Sequence, residues 1–367
     1  MRDRLGKMHP RLAGWVGAIA SILLVVPACS SLSYYGQAVS GHLEVMSKSR
    51  DVDDLVAAEE TAEPLRMRLG DLASIRDFAV SDLALPDNGS YRSYADLERP
   101  YLVWNVFAAP ELSLEAKEWC YLVVGCVRYR GYFDRAEAEQ LAQALSAEGY
   151  ETWTGGVPAY STLGWFDDPV LNTFVHWSRG RLAELIFHEL AHQQLYIDDD
   201  TDFNESFATV VGQIGADRWL AIFGAEAERT AYRTSRARRL AFVDLMDATR
   251  EKLDQVYDSR HSVAEKRARK EIVLADARAA YTTWKGQWGG DGSYDRVVAG
   301  GPNNAWFVAL SAYHRWVPAF RQLFLISGES FERFYAEVAI LGELDKAERD
   351  KRLATLVADQ SLRAALR

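Results

Sequence analysis

The most constraining feature of this sequence is the run Leu185-Ile186-Phe187-His188-Glu189-Leu190-Ala191-His192-Gln193, followed shortly by Phe203-Asn204-Glu205-Ser206-Phe207-Ala208. Leu, Ala, Glu and Gln favour helix. On a helix, His188 and His192 stand at i and i+4, so both imidazoles leave one face and can converge on a single ion. Two neutral imidazoles and one carboxylate are the donor set of a catalytic zinc site, with the fourth position left to water. Glu205 supplies the carboxylate, from the start of a second apolar-periodic segment that runs to Leu220. The twelve residues between His192 and Glu205 let the chain turn and lay this second helix beside the first. Glu189, next to a ligand but not itself one, is placed to take a proton from water. The plainer alternative is an amphipathic core helix with two satisfied histidines, which leaves the later Asn-Glu unexplained.

With 49% hydrophobic residues over 367 positions, the chain has material for a sizeable core. A net charge of -10, with no basic stripe interleaved with aromatics outside one helical segment, argues against a nucleic-acid partner. The amino-terminal end has its own texture. Arg2, Arg4, Lys7 and Arg11 precede an apolar run from Leu12 to Val26, and Val26-Pro27-Ala28-Cys29 then brings small residues up to a cysteine. Residues 1–28 therefore read as a lipoprotein signal peptide, with cleavage before Cys29 and lipid on its thiol. An uncleaved anchor competes with this, although the apolar run is short for a full bilayer span. Lipidation places the mature chain in a bacterial cell envelope, facing the periplasm. Cys120 and Cys126 then remain, and an oxidising compartment lets them pair if their Cα atoms come within reach; two buried free thiols are the alternative.

Residues 29–179 read as an α+β region. Tyr101 to Phe107 and Val127 to Phe133 are β-branched and aromatic runs bounded by turn residues, Asp134 caps a helix to about Ala147, and strand character resumes at Tyr150. Gly155, Gly156 and Ala159 then fall in a Gly/Pro-containing stretch that suits a sheet edge open to an extended peptide. A β-turn-β connection with a packed aromatic corner fits the same spacing. Residues 180–367 read as helical. They include a charged hairpin ending near Trp288, a helix opened by Asn303 and Asn304 with an aromatic stripe, and two amphipathic helices from Ser330 onward. The expected class is α+β, mostly helical and zincin-like, with a small mixed or antiparallel sheet.

Gly125-Cys126-Val127, Tyr129 to Asp134, Gly155 to Pro169, His188 to His192 and Phe203 to Ala208 resemble the family of putative zinc aminopeptidases found as lipoproteins in Gram-negative bacteria. Asn303-Asn304-Ala305 and Tyr313-His314 carry the resemblance further along the chain. More distantly, His188-Glu189-His192 with Asn204-Glu205-Phe207-Ala208 is similar to the gluzincin metallopeptidases. The resemblance implies one zinc ion on His188, His192 and Glu205, Glu189 as base, and hydrolysis of peptide bonds. The sequence departs from typical gluzincin aminopeptidases in a shorter His192-to-Glu205 spacing and in lacking a Gly-Ala-Met-Glu-Asn segment, whose glutamate clasps the substrate's amine. Asp167 and Asp168 are candidates for that clasp, since a carboxylate pairs with an ammonium group; a turn or helix cap is the other reading of Asp-Asp-Pro. Tyr313, His314 and Tyr160 are candidates for hydrogen bonding the oxyanion. The expected partners are a peptide substrate and, through lipid, a membrane. The rival functions are a membrane-anchored zinc endopeptidase and a non-catalytic peptide-binding lipoprotein. Oligomeric state is not encoded in these patterns.

Overall fold

A computed structural model describes residues 36–37, 39–121, 125–159, 161–311 and 315–365. The chain forms two compact units, Met1–Ser47 and Lys48–Arg367. In the first, residues 39–47 are helical (α1). The second is an α+β unit in which helix dominates and the sheets are small, as the patterning predicts.

Strands β1 (Arg50–Asp51), β2 (Ser93–Ala95) and β8 (Val170–Leu171) form a mixed sheet in the order β1-β2-β8, with β2 and β8 parallel. Strands β3 (Val103–Pro110), β6 (Arg130–Tyr132) and β7 (Tyr150–Val157) form an antiparallel sheet in the order β6-β3-β7. A hairpin of β4 (Trp119–Tyr121) and β5 (Gly125–Val127) sets Cys120 opposite Cys126, and the two are joined by a disulfide. Val127 to Phe133 is thus two strands rather than the single one expected. Val127 pairs with Trp119 while Arg130 pairs with Val106 in another sheet, and the chain must break between them to serve both.

Helices α2 (Val52–Ala57) and α3 (Glu63–Ser81) precede the sheets, and α4 (Arg135–Ala147) lies between β6 and β7. Asp134 caps α4 by accepting from the Glu137 N–H. The carboxyl-terminal half is helical: α5 (Arg179–Gln194), α6 (Thr201–Phe223), α7 (Glu226–Asp258), α8 (Val263–Gln287), α9 (Asp295–Gly300), α10 (Asn304–Ser311), α11 (Val317–Ile326), α12 (Phe331–Gly342) and α13 (Lys346–Ala365). The change from sheet to helix near residue 180 falls inside the larger unit.

The α7–α8 hairpin is tethered to the rest of the unit by charged contacts. Arg236 and Arg239 reach Asp217 and Glu184 at 2.5 and 2.6 Å, and Arg267 grips Glu111 through two nitrogens. Buried Lys270 meets Glu151 at 2.5 Å. Asn304 donates to the carbonyls of Pro110, Glu111 and Ser113 and accepts from the Tyr257 hydroxyl, fastening α10 to the end of β3. The aromatic stripe seen in the sequence is core: Trp306, Phe307, Trp316 and Phe320 are buried.

Candidate metal centre

Helix α5 buries Leu182, Ala183, Ile186, Phe187, Leu190 and Ala191 completely, which fixes its rotation and turns His188 and His192 toward α6. Gly212 lets the two helices close at this level: a Cβ there would stand 2.6 Å from the Glu184 carbonyl and 3.2 Å from the His188 Cβ. The connection between the helices is stapled from both ends. Asn204 accepts from the Ile197 N–H at 2.9 Å and donates to the Ile197 carbonyl at 2.7 Å. Asp200 accepts from the Phe203 N–H to cap α6, and is itself held by Arg349 at 2.9 Å and Lys346 at 3.0 Å from α13. The asparagine of the Asn-Glu pair thus shapes the turn that delivers Glu205.

Three side chains meet there. His188 Nε2 lies 3.2 Å from His192 Nε2, Glu205 Oε2 lies 3.3 Å from His188 Nε2, and Glu205 Oε1 lies 3.6 Å from His192 Nε2. An ion at zinc's usual bond lengths with tetrahedral angles separates neighbouring ligand atoms by about 3.3–3.4 Å. The three separations come within a few tenths of an ångström of that span, the two to Glu205 being made by its two different oxygens. Among the described residues, this is the one group of three or more His, Cys, Asp or Glu side chains so arranged.

The two imidazoles differ in protonation. Burial, with the nearby His188 charge, pushes His192 down to about 4 against the pull of Glu205, so its ring is neutral, as a ligand must be. Burial also works against charge on His188, but its bond to Glu205 and the charges of Glu205, Glu189 and Glu184 pull it up overall. A proton on His188 and a metal ion therefore compete for the same carboxylate. Burial raises Glu189 to about 7; His188 lowers it, while Glu205 and Asp168 raise it.

The model of the family described as Putative aminopeptidase matches residues 33–353. The chain belongs to that family. No curated protein and no solved structure matches it. Asp168 and Tyr91 both interact electrostatically with Glu189.

Asp168 is 4% exposed and forms no ion pair among the described residues. Its Oδ2 accepts from the N–H and the hydroxyl of Thr162 at 2.8 and 3.0 Å. Burial raises its carboxyl to about 6 despite those bonds, with Asp167 adding to the rise. Asp167 itself is exposed. Gly155 and Gly156 lie on β7, which is the outer strand of its sheet, and Ala159 follows in a buried position. Gly156 admits the Tyr101 ring, which lies 2.3 Å from where a Cβ would be, so an aromatic corner is packed there. Tyr160, Tyr313, His314 and Cys29 lie outside the described residues.

Sequence reasoning missed the segment from Pro86 to Tyr91. Buried Arg76 donates to the Pro86 and Asn88 carbonyls, Asn88 donates to Gln193 Oε1 at 2.7 Å, and Gln193 donates to Ser90 Oγ at 3.1 Å. Gln193 stands one turn beyond Glu189, so this segment runs along the Glu189 face of α5. Tyr91 then takes a left-handed φ of 62° and donates its N–H to the Asp168 carbonyl at 2.6 Å. Its hydroxyl is buried with no hydrogen-bond partner among the described residues, and burial with the charges of Glu189 and Asp168 holds the phenol well above its usual range. The turn residues Asp87-Asn88-Gly89-Ser90 were the signal available, but they mark a turn without saying what it faces. Tyr196, whose ring centroid is 6.3 Å from that of His192, was missed as well.

Proposed function

We propose that this chain is a zinc-dependent aminopeptidase of the bacterial envelope, held at the outer membrane by lipid on Cys29. The observation that carries the reading is the triangle of His188, His192 and Glu205 donor atoms with buried Glu189 beside it. When bound there, zinc supplies Lewis acidity and makes water acidic enough to lose a proton near neutral pH. Glu189 accepts that proton as oxygen adds to the scissile carbonyl carbon. As the C–N bond breaks, Glu189 returns the proton to the departing nitrogen. Burial of Glu189 favours its protonated form, which suits a group that must take up a proton and then release it. Asp168 gives the end preference: a buried carboxylate with no ion pair among the described residues is completed by a cation, and the free α-ammonium of a peptide is one.

The test is a digestion of matched free and N-acetylated peptides by wild type, Glu189→Gln and Asp168→Asn, read by mass spectrometry. The expected result is stepwise release from free amino termini, loss of turnover with a chelator and return with zinc. Glu189→Gln should lose about a hundred-fold or more. Internal cuts in acetylated peptides at an equal rate would make the protein an endopeptidase. Metal binding without any turnover would make it a peptide-binding lipoprotein.

A further inference from the structure

Leu163-Gly164-Trp165-Phe166 puts three large apolar side chains at the surface: Trp165 is 85% exposed, Phe166 51% and Leu163 36%. A single exposed apolar side chain is ordinary, but three in four consecutive residues are not. Nor is the exposure slack in the chain. Thr162 donates its hydroxyl to Asp168 and accepts the Phe166 N–H at 3.2 Å, while its carbonyl accepts the Trp165 N–H at 3.1 Å. Leu163 is held at a φ of 56° and Gly164 at 82°. The left-handed region is strained for a leucine, so the fold accepts strain to present this tip.

Its place decides what it is for. A Cβ on Gly164 would sit 3.8 Å from the Gln193 side chain, and Gln193 adjoins His192. Three residues further on, half-exposed Tyr196 stands beside the His192 ring. At the base of the tip is Asp168, fastened by Thr162.

We infer that Trp165 and Phe166 are specificity-determining residues that cover a large apolar side chain on the amino-terminal residue of the peptide. The inference rests on the aminopeptidase reading. Asp168 and the tip belong to one closed loop, so the side chain next to the held ammonium is the one that the tip meets. Leucine and phenylalanine offer area to cover; alanine offers little.

The experiment measures kcat and KM on substrates with amino-terminal Leu, Phe and Ala, using the full protein and its Trp165→Ala and Phe166→Ala variants. KM for Leu and Phe should rise about ten-fold while Ala changes less than about two-fold. Metal content, Tm and kcat should hold, because the side chains removed are exposed. Equal KM changes on all three substrates, or none, would overturn the inference, as would loss of vesicle binding with unchanged kinetics, which would assign the tip to a lipid surface. Calorimetry of Leu- and Ala-terminated peptides on Glu189→Gln, with and without Trp165→Ala, repeats the comparison without turnover. A wild type inert on every substrate counts against the aminopeptidase reading; equal calorimetric affinities with and without Trp165 count against this inference.

Discussion

Asp168→Asn should make the protein more stable at neutral pH and less discriminating for free amino termini. The folded protein keeps a proton on Asp168 up to about pH 6, while the ordinary value of 3.8 applies to the unfolded chain. Between those values unfolding releases a proton, so stability falls as pH rises through the window, and the full cost is present above it. A shift from 3.8 to about 6 corresponds to about 3 kcal/mol. Asparagine keeps an oxygen for the two Thr162 donors and carries no charge to bury. The variant should therefore gain up to about 3 kcal/mol at pH 8, or about 4 °C in Tm for a unit of this size, and close to nothing at pH 4. Thermal unfolding of both proteins, without substrate, from pH 4 to pH 8 measures the difference. A gap that stays constant across the range, or a variant less stable at pH 8 than wild type, would refute the claim that a buried, uncompensated charge sits at this position.

Glu205→Gln should lose most bound zinc by elemental analysis while keeping its helical circular dichroism, because the carboxylate is needed by the ion and not by the packing of α6; full zinc retention would dismiss the triangle as a metal site. Asn204→Ala removes both bonds to Ile197 and should weaken zinc binding about ten- to a hundred-fold in a competition titration, the usual effect of losing a residue that orients a ligand. Tyr91→Phe deletes a buried hydroxyl that has no hydrogen-bond partner among the described residues, and should leave stability unchanged or raise it by about 1 kcal/mol in urea unfolding; a loss of that size would mean the hydroxyl is satisfied. Arg349→Met leaves Asp200 with half-exposed Lys346 alone and should cost about 3 kcal/mol in the same assay.

What could be read in the sequence was what local geometry dictates. His188, Glu189 and His192 are placed by helical spacing alone, and Glu205 follows because a turn of limited length must return the chain to the same helix. Helical periodicity likewise announced α7, α8, α12 and α13, and Asp134 marked the start of α4. What escaped depends on partners far apart in the chain. Asn88 meets Gln193 across 105 residues, and Asp200 meets Arg349 across 149. Each of these residues taken alone looks like ordinary turn or surface chemistry. The basic run from Arg233 to Arg239 reads as a solvated face because its acceptors Asp217, Glu184 and Asp291 lie on other elements.

The long-range contacts explain how the centre can tolerate its own local conflicts. Tyr91 and Leu163 hold left-handed backbone, Asp168 is buried without an ion pair among the described residues, and His192 Nδ1 and the Tyr91 hydroxyl are buried without hydrogen-bond partners among them. None of these features stabilises the fold. Persistence of such strain requires surroundings that over-determine it. Arg76 supplies this for the Pro86–Tyr91 segment, Thr162 for the apolar tip, and the Asp200–Arg349 pair for the start of α6. A donor group whose separations lie within a few tenths of an ångström of the tetrahedral span needs that support, because its side chains come from two helices whose mutual position no local propensity can set. The carboxyl-terminal helix α13 contributes no side chain to the triangle, yet through Arg349 and Asp200 it fixes the turn from which Glu205 departs. The site is therefore a property of the whole unit, although its chemistry is carried by a few residues on two adjacent helices.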